Sequence, residues 1–199
     1  MTRKIFSSTL WHTFLCAFVF VAFSACSQEK QESEEIAANE LDTKTYAGLE
    51  DVFSSTNTIE TKGKYMLLIF GANGCKYCEN LKDDIKQTQA LKDELKAHFT
   101  SYYINTSYSK LHTFKVGEGA EAKEHAIPTR KLAEIYRIGP TPTLIFADKD
   151  GRSILAYPAY LPPKQFQALL GFIASGTWKS AQGDDKRLTQ MLQQHLQAI

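Results

Sequence analysis

The chain has 199 residues, is 43% hydrophobic and 23% charged, and carries a formal net charge of +1. That is room for one globular domain with a core of ordinary size. The near-neutral charge argues against a nucleic-acid surface, and no internal repeat marks a solenoid or array.

The first residues read as an address. Arg3 and Lys4 make a positive start, Leu10 to Phe23 is mostly apolar, and Phe23-Ser24-Ala25-Cys26 places small residues before a cysteine. This is the pattern of a secretory signal over 1–25. Its end resembles the lipobox of bacterial lipoproteins, which implies lipidation at Cys26, although Phe23 stands where that motif usually has Leu. The competing reading is an uncleaved membrane anchor, for which the apolar run is short. Either way the domain is expected outside the cytoplasm, beside a membrane. Cys16 falls in the signal and Cys26 is the lipid site, so Cys75 and Cys78 are the thiols left to the mature domain. One close pair in an oxidising compartment points to redox work.

Residues 26–46 are polar, acidic at first, and read as a flexible tether or a solvated helix. The domain is expected over 47–180. Leu49 to Ile59 reads as a short helix and turn. Tyr65 to Phe70 is a continuous apolar run, as in a strand buried on both faces. Glu79 to Leu95 carries Leu81, Ile85, Leu91 and Leu95 among polar residues and reads as one amphipathic helix. Phe99 to Ile104 reads as a second strand. The stretch 107–127 has few apolar anchors and reads as an insertion or mobile loop, with a possible short strand at Phe114-Lys115-Val116. A helix runs from Pro128 to Tyr136 with Thr129 as its cap. Leu144 to Ala147 is another buried strand, Asp148 to Gly151 a hairpin turn, and Ser153 to Ala156 the return strand. Pro162-Pro163 opens a helix. Residues 181–199 read as a last amphipathic helix that packs on the domain, with a partner or dimer contact as the sharper alternative.

The chemistry concentrates in Cys75-Lys76-Tyr77-Cys78, between the apolar strand and the helix. A helix N-terminus offers free N–H groups and partial positive charge, which favour a thiolate. Lys76 adds a cation beside it. The bland alternatives are half of a zinc site or two buried cysteines. Structural zinc wants four ligands, and neither a second cysteine pair nor histidines at ligand spacing supply them.

The order strand, Cys-x-x-Cys, helix, strand, helix, Thr-Pro, strand, turn, strand, helix resembles the thioredoxin fold. That is an α/β fold with a central mixed β-sheet flanked by helices. In that family a cis-proline sits opposite the active-site disulfide, and Pro142 in Gly139-Pro140-Thr141-Pro142-Thr143 matches it. The resemblance covers roughly Lys64 to Ser175. It is nearest to bacterial envelope thioredoxin-like proteins, including those associated with sulfur oxidation, an impression to which Tyr157 to Phe166 contributes.

The resemblance implies a membrane-tethered periplasmic thiol–disulfide oxidoreductase. Cys75 would be the attacking thiolate and Cys78 the resolving thiol. Lys76 would stabilise the thiolate and Tyr77 would line the approach. Thr141 and Pro142 would position an extended substrate segment. Partners would be protein thiols and disulfides, a membrane redox partner and the membrane itself through the lipid; no nucleic acid, metal or organic cofactor is implied. Three departures stand out: Gly74 replaces the family tryptophan, Ile69 the buried acid, and Lys-Tyr the usual Gly-Pro. A binding module or a Cu(I) or Zn carrier using the same cysteines is the competing class.

Overall fold

A computed structural model describes residues 37–116 and 123–199. Strand β2 (Tyr65–Gly71) is buried along its whole length and forms the middle of the molecule. Alternate side chains leave a strand on opposite faces. Tyr65, Leu67 and Ile69 therefore enter one apolar cluster, and Met66, Leu68 and Phe70 the other. Burial on both faces explains the unbroken apolar run. Strand β3 (Phe99–Asn105) lies parallel to β2, β6 (Thr143–Ala147) antiparallel, and β7 (Ser153–Tyr157) antiparallel to β6. The order is β3-β2-β6-β7, a mixed sheet. On the Leu67 and Ile69 side pack α2 (Lys76–Gln87), α3 (Gln89–His98), α5 (Pro163–Ala174) and α6 (Asp185–Gln197). On the other side lies α4 (Thr129–Ile135) with Leu132. Each Leu, Ile or Phe taken fully out of water in these clusters contributes about 2 kcal/mol.

Four stretches differ from the sequence-based expectation. The helix read over Glu79 to Leu95 is two helices, α2 and α3, separated by the extended Thr88. The spacing accounts for this. Leu81 to Ile85 and Leu91 to Leu95 are each one turn, but the six-residue step between Ile85 and Leu91 advances a helix by about 600°, which turns the second pair off the first face.

The stretch 107–127 is not a loop throughout. Strand β4 (Leu111–Val116) pairs antiparallel with β5 (Lys123–Pro128), and β4 also pairs parallel with the short β1 (Thr58–Ile59). This makes a second sheet, β1-β4-β5. The signal was faint because β5 is exposed and carries Lys123, Glu124 and His125 in place of an apolar alternation.

No helix forms over 49–59. That segment is a run of turns that ends in β1, with Leu49, Val52 and Phe53 buried and Phe53 bridging to Ser101. Finally, of the two readings of 26–46 the helix holds over 37–45 (α1), but it is docked on the domain rather than solvated, and Tyr46 is buried. The polar residues of α1 hid this, because two of its contacts are polar. Lys82 Nζ donates to Thr45 O at 2.6 Å, and Lys110 Nζ donates to Asp42 Oδ2 at 2.8 Å.

The second contact belongs to a buried cluster. Lys110 and Asp42 side chains are 7% and 9% exposed. Lys110 Nζ also donates to Thr56 Oγ1 at 2.8 Å, and Thr56 Oγ1 donates to Asp42 Oδ2. His112 Nδ1 is 2.8 Å from Thr56 O, which only accepts, so Nδ1 carries the proton and Nε2 accepts from Thr129 Oγ1 at 3.0 Å. Burial, with Lys110 nearby, holds His112 below the ordinary imidazole range and keeps it neutral. Thr129 is thus the first residue of α4 with its hydroxyl turned into this cluster, and Pro128 is the N-cap.

Removing one partner of a buried ion pair strands the other. Lys110→Met is expected to cost about 3 kcal/mol in urea unfolding. The double change Asp42→Leu with Lys110→Met should recover most of that loss. If the double variant is as unstable as the single one, the pair is not what anchors α1.

The C-terminal helix packs on the domain. Leu188 and Leu192 are buried, His195 lies 5.5 Å from the Phe172 ring, and its Nε2 donates to Ala168 O at 3.1 Å. Among the described residues no helix is long and apolar enough to cross a membrane. The signal over 1–25, Cys16 and Cys26 lie outside the described residues.

Candidate active site

The chain leaves β2 at Gly71 and enters α2 at Lys76 through Ala72-Asn73-Gly74-Cys75. Two glycines make this turn. A Cβ on Gly71 would sit 2.0 Å from the Tyr103 hydroxyl, so only glycine lets that ring pass beneath the loop. Gly74 has φ of 71°, a left-handed conformation that costs other residues about 1–2 kcal/mol. A tryptophan at 74 would meet that strain in this backbone.

Hydrogen bonds from the end of β3 hold the loop. Asn73 N donates to Ser107 Oγ at 2.9 Å, Asn105 Nδ2 to Asn73 Oδ1 at 2.8 Å, and Asn73 Nδ2 to the Tyr108 hydroxyl at 3.1 Å. Thr106 N donates to Gly71 O at 2.8 Å. The side chains of Asn73 and Asn105 were not singled out from sequence, where the Asn-Thr-Ser run reads only as a strand end.

Cys75 and Cys78 are joined as a disulfide. Cys75 is the N-cap of α2, and its Sγ accepts from Cys78 N at 3.2 Å. The helix therefore begins at Lys76, directly after the first cysteine and three residues before the expected Glu79. Free N–H groups and the positive end of α2 face Cys75 Sγ, which is what a thiolate requires on reduction. Cys75 is half-buried, while Cys78 is wholly buried. The two cysteines are thus unequally placed: the first residue is partly open to solvent and the second is not.

Opposite them, the Thr141–Pro142 bond is cis. Thr141 O lies 3.3 Å from Cys75 Sγ. A disulfide sulfur has no proton to give, so this is a packing contact in the oxidised protein. Thr143 Oγ1 donates to Pro140 O at 2.7 Å and fixes the loop that carries Thr141. The structure thus brings Cys75, Cys78, Thr141 and Pro142 together. Lys76 is exposed and forms no ion pair among the described residues. Tyr77 is 58% exposed and stacks on Tyr160 at 5.8 Å with rings 22° apart.

Ile69 is fully buried in the cluster that holds Leu81, Ile85 and Tyr103. The position where the family carries an acid is apolar core here. The nearest turn of α2 instead buries Lys82, which donates to Glu79 Oε1 at 2.9 Å and lies 5.3 Å from the Tyr103 ring centre. Burial pushes the Tyr103 hydroxyl far above its ordinary value, with the Glu79 charge adding to it. A polar cleft of about 250 Å³ opens here, lined by Asn73, Glu79, Lys82, Tyr103 and Tyr108 among others. A larger cavity of about 470 Å³ lies by Tyr65, at the end of β2 away from the disulfide. Among the described residues no three His, Cys, Asp or Glu side chains converge as metal ligands.

The profile of the thioredoxin-like domain family matches residues 52–174, well over half of the chain. The chain belongs to that family. A thioredoxin-fold protein from Helicobacter pylori has a solved structure with 47% identity and a TM-score of 0.75, covering 79% of this chain and 97% of its own. A thioredoxin from Thermus thermophilus is 19% identical with a TM-score of 0.43, covering 61% and 81%. A DsbH oxidoreductase is 18% identical with a TM-score of 0.35, covering 50% and 63%. No curated protein matches the chain. Membership of the thioredoxin-like family, with a Cys75–Cys78 disulfide at the start of α2, supports a role of the thiol–disulfide oxidoreductase kind.

Proposed function

We propose that this thioredoxin-like protein reduces disulfides of polypeptide substrates in the periplasm while tethered to a membrane through lipid at Cys26. The observation that carries the reading is the unequal disulfide, with Cys75 reachable at the N-terminus of α2 and Cys78 buried behind it.

In the reduced protein the Cys75 thiolate attacks one sulfur of a substrate disulfide. A Cys75–substrate bond forms, and the other substrate sulfur leaves as thiolate and takes a proton from solvent. Cys78, losing its proton, attacks Cys75 Sγ, forms the Cys75–Cys78 bond and releases the second substrate thiol. Two electrons pass from protein to substrate, and a dithiol donor of the envelope returns them. Lys76 favours the thiolate. Thr141, with Pro142 after it, presents backbone to an extended substrate segment beside Cys75. In a metal-carrier reading the two sulfurs bind an ion rather than each other; the Thr141–Pro142 pair retained beside Cys75 favours exchange over it.

Two measurements test the proposal. Equilibration with a thiol buffer, read by mass spectrometry of alkylated cysteines, gives the potential of the pair. A value near about −270 mV is expected for a reductase. A value near about −120 mV would mean a disulfide donor instead. For the tether, Cys26→Ala is expected to move the protein from the membrane to the soluble fraction, and continued membrane retention would overturn the lipid reading.

A further inference from the structure

The family aromatic that usually stands before the first cysteine is replaced by Gly74, whose backbone is left-handed. Aromatic surface nevertheless lies beside the disulfide, supplied from a different direction. Tyr77 sits between the cysteines with more than half its surface open, yet its ring is not free, since Tyr160 stacks against it at 5.8 Å.

Tyr160 is itself held from three sides. Its hydroxyl donates to Asp84 Oδ2 at 2.6 Å. Its neighbour Leu161 is buried in the main core. Pro158 and Pro162 restrict the chain on either side. Tyr77 and Asp84 are seven residues apart on α2, two turns along one face. Tyr160 therefore lies along that face, with its ring on Tyr77 and its hydroxyl on Asp84. The hydrogen bond to the carboxylate raises the Tyr160 hydroxyl to about 12, so it stays protonated and keeps donating at any physiological pH.

This is a rigid aromatic surface two residues along the chain from Cys75, the more open of the two cysteines. Tyrosine gives large contact area at small conformational cost, the property that enriches it in recognition surfaces. An aromatic face takes either a flat ring or a cation, and the exposed Lys76 beside Tyr77 disfavours a cation, so the matching ligand group is flat and uncharged. We propose that Tyr77 and Tyr160 form a platform that selects polypeptide substrates with an aromatic side chain next to the reacting cysteine. Tyr160, through its hold on Tyr77, is a specificity-determining residue. The proposal rests on the reading of Cys75 and Cys78 as an exchange site.

The test uses two peptide disulfides, alike except for Trp or Ser beside the cysteine, and the reduced full-length protein. Single-turnover rates are read by alkylation and mass spectrometry. The wild-type protein is expected to reduce the Trp peptide about fivefold faster, the scale of one aromatic contact. In Tyr160→Ala and in Tyr77→Ser, whose position is exposed and tolerant of change, the ratio should fall below about twofold. Tyr160→Phe keeps the ring and should retain most of the preference. Equal rates for the two peptides with the wild-type protein, or an undiminished ratio in Tyr77→Ser, overturn the platform and leave the exchange reading standing. Reduction of neither peptide overturns the exchange reading and the platform with it.

Discussion

Cys75→Ser is expected to abolish disulfide reduction, leaving only the background rate of the dithiothreitol in an insulin-reduction assay. The reason lies in the inequality of the two sulfurs. Cys75 is half-buried and caps α2, while Cys78 is wholly buried. Without Cys75 the remaining thiol cannot reach a substrate disulfide, and the serine hydroxyl is no substitute for a thiolate nucleophile. The fold should persist, because the serine oxygen still caps the helix by accepting from Cys78 N. Measurable turnover by the folded variant would remove Cys75 from its role as the attacking group.

Cys78→Ala has the opposite signature. The attack of Cys75 is intact, so the first bond to substrate forms, but the buried thiol that would displace it is gone. The mixed disulfide then survives until an outside thiol cleaves it. Incubation with a protein disulfide substrate should convert most of the variant to a heavier band on a non-reducing gel, and that band should vanish with excess reductant. Loss of activity without such a band would mean that Cys78 serves the first step rather than the second. Alanine fits this buried site because it removes a single sulfur and leaves only a small void.

Much of this was legible in the sequence, for reasons that differ by residue. Tyr65 to Phe70 and Leu144 to Ala147 are apolar without interruption, so they announce buried strands. The Cys75–Cys78 disulfide and the cis bond at Pro142 were legible because few residue types form either. The clamp on the loop was not legible. Asn73, Asn105 and Ser107 are common loop residues, and only the parallel pairing of β2 with β3 brings their ends together. Tyr160 lay in a stretch noted for its composition, but its partner Asp84 is 76 positions away in sequence. The same holds for α1, whose polar face reads as solvent-exposed until Lys110, 68 positions on, is placed against Asp42.

The anchoring of α1 also decides where an autonomous fragment can start. Cutting the chain at 47, where composition alone puts the edge of the domain, would remove Asp42 and Thr45 together. Lys82 would lose the carbonyl it donates to, and Lys110 its carboxylate. Two interior ammonium groups, one of them on the helix that carries the disulfide, would then face the unfilled footprint of a missing helix. A self-sufficient piece therefore begins upstream of Asp42 and of the profile-matched region, and includes α6 at the other end. A preparation trimmed to 52–174 would report the properties of a damaged protein.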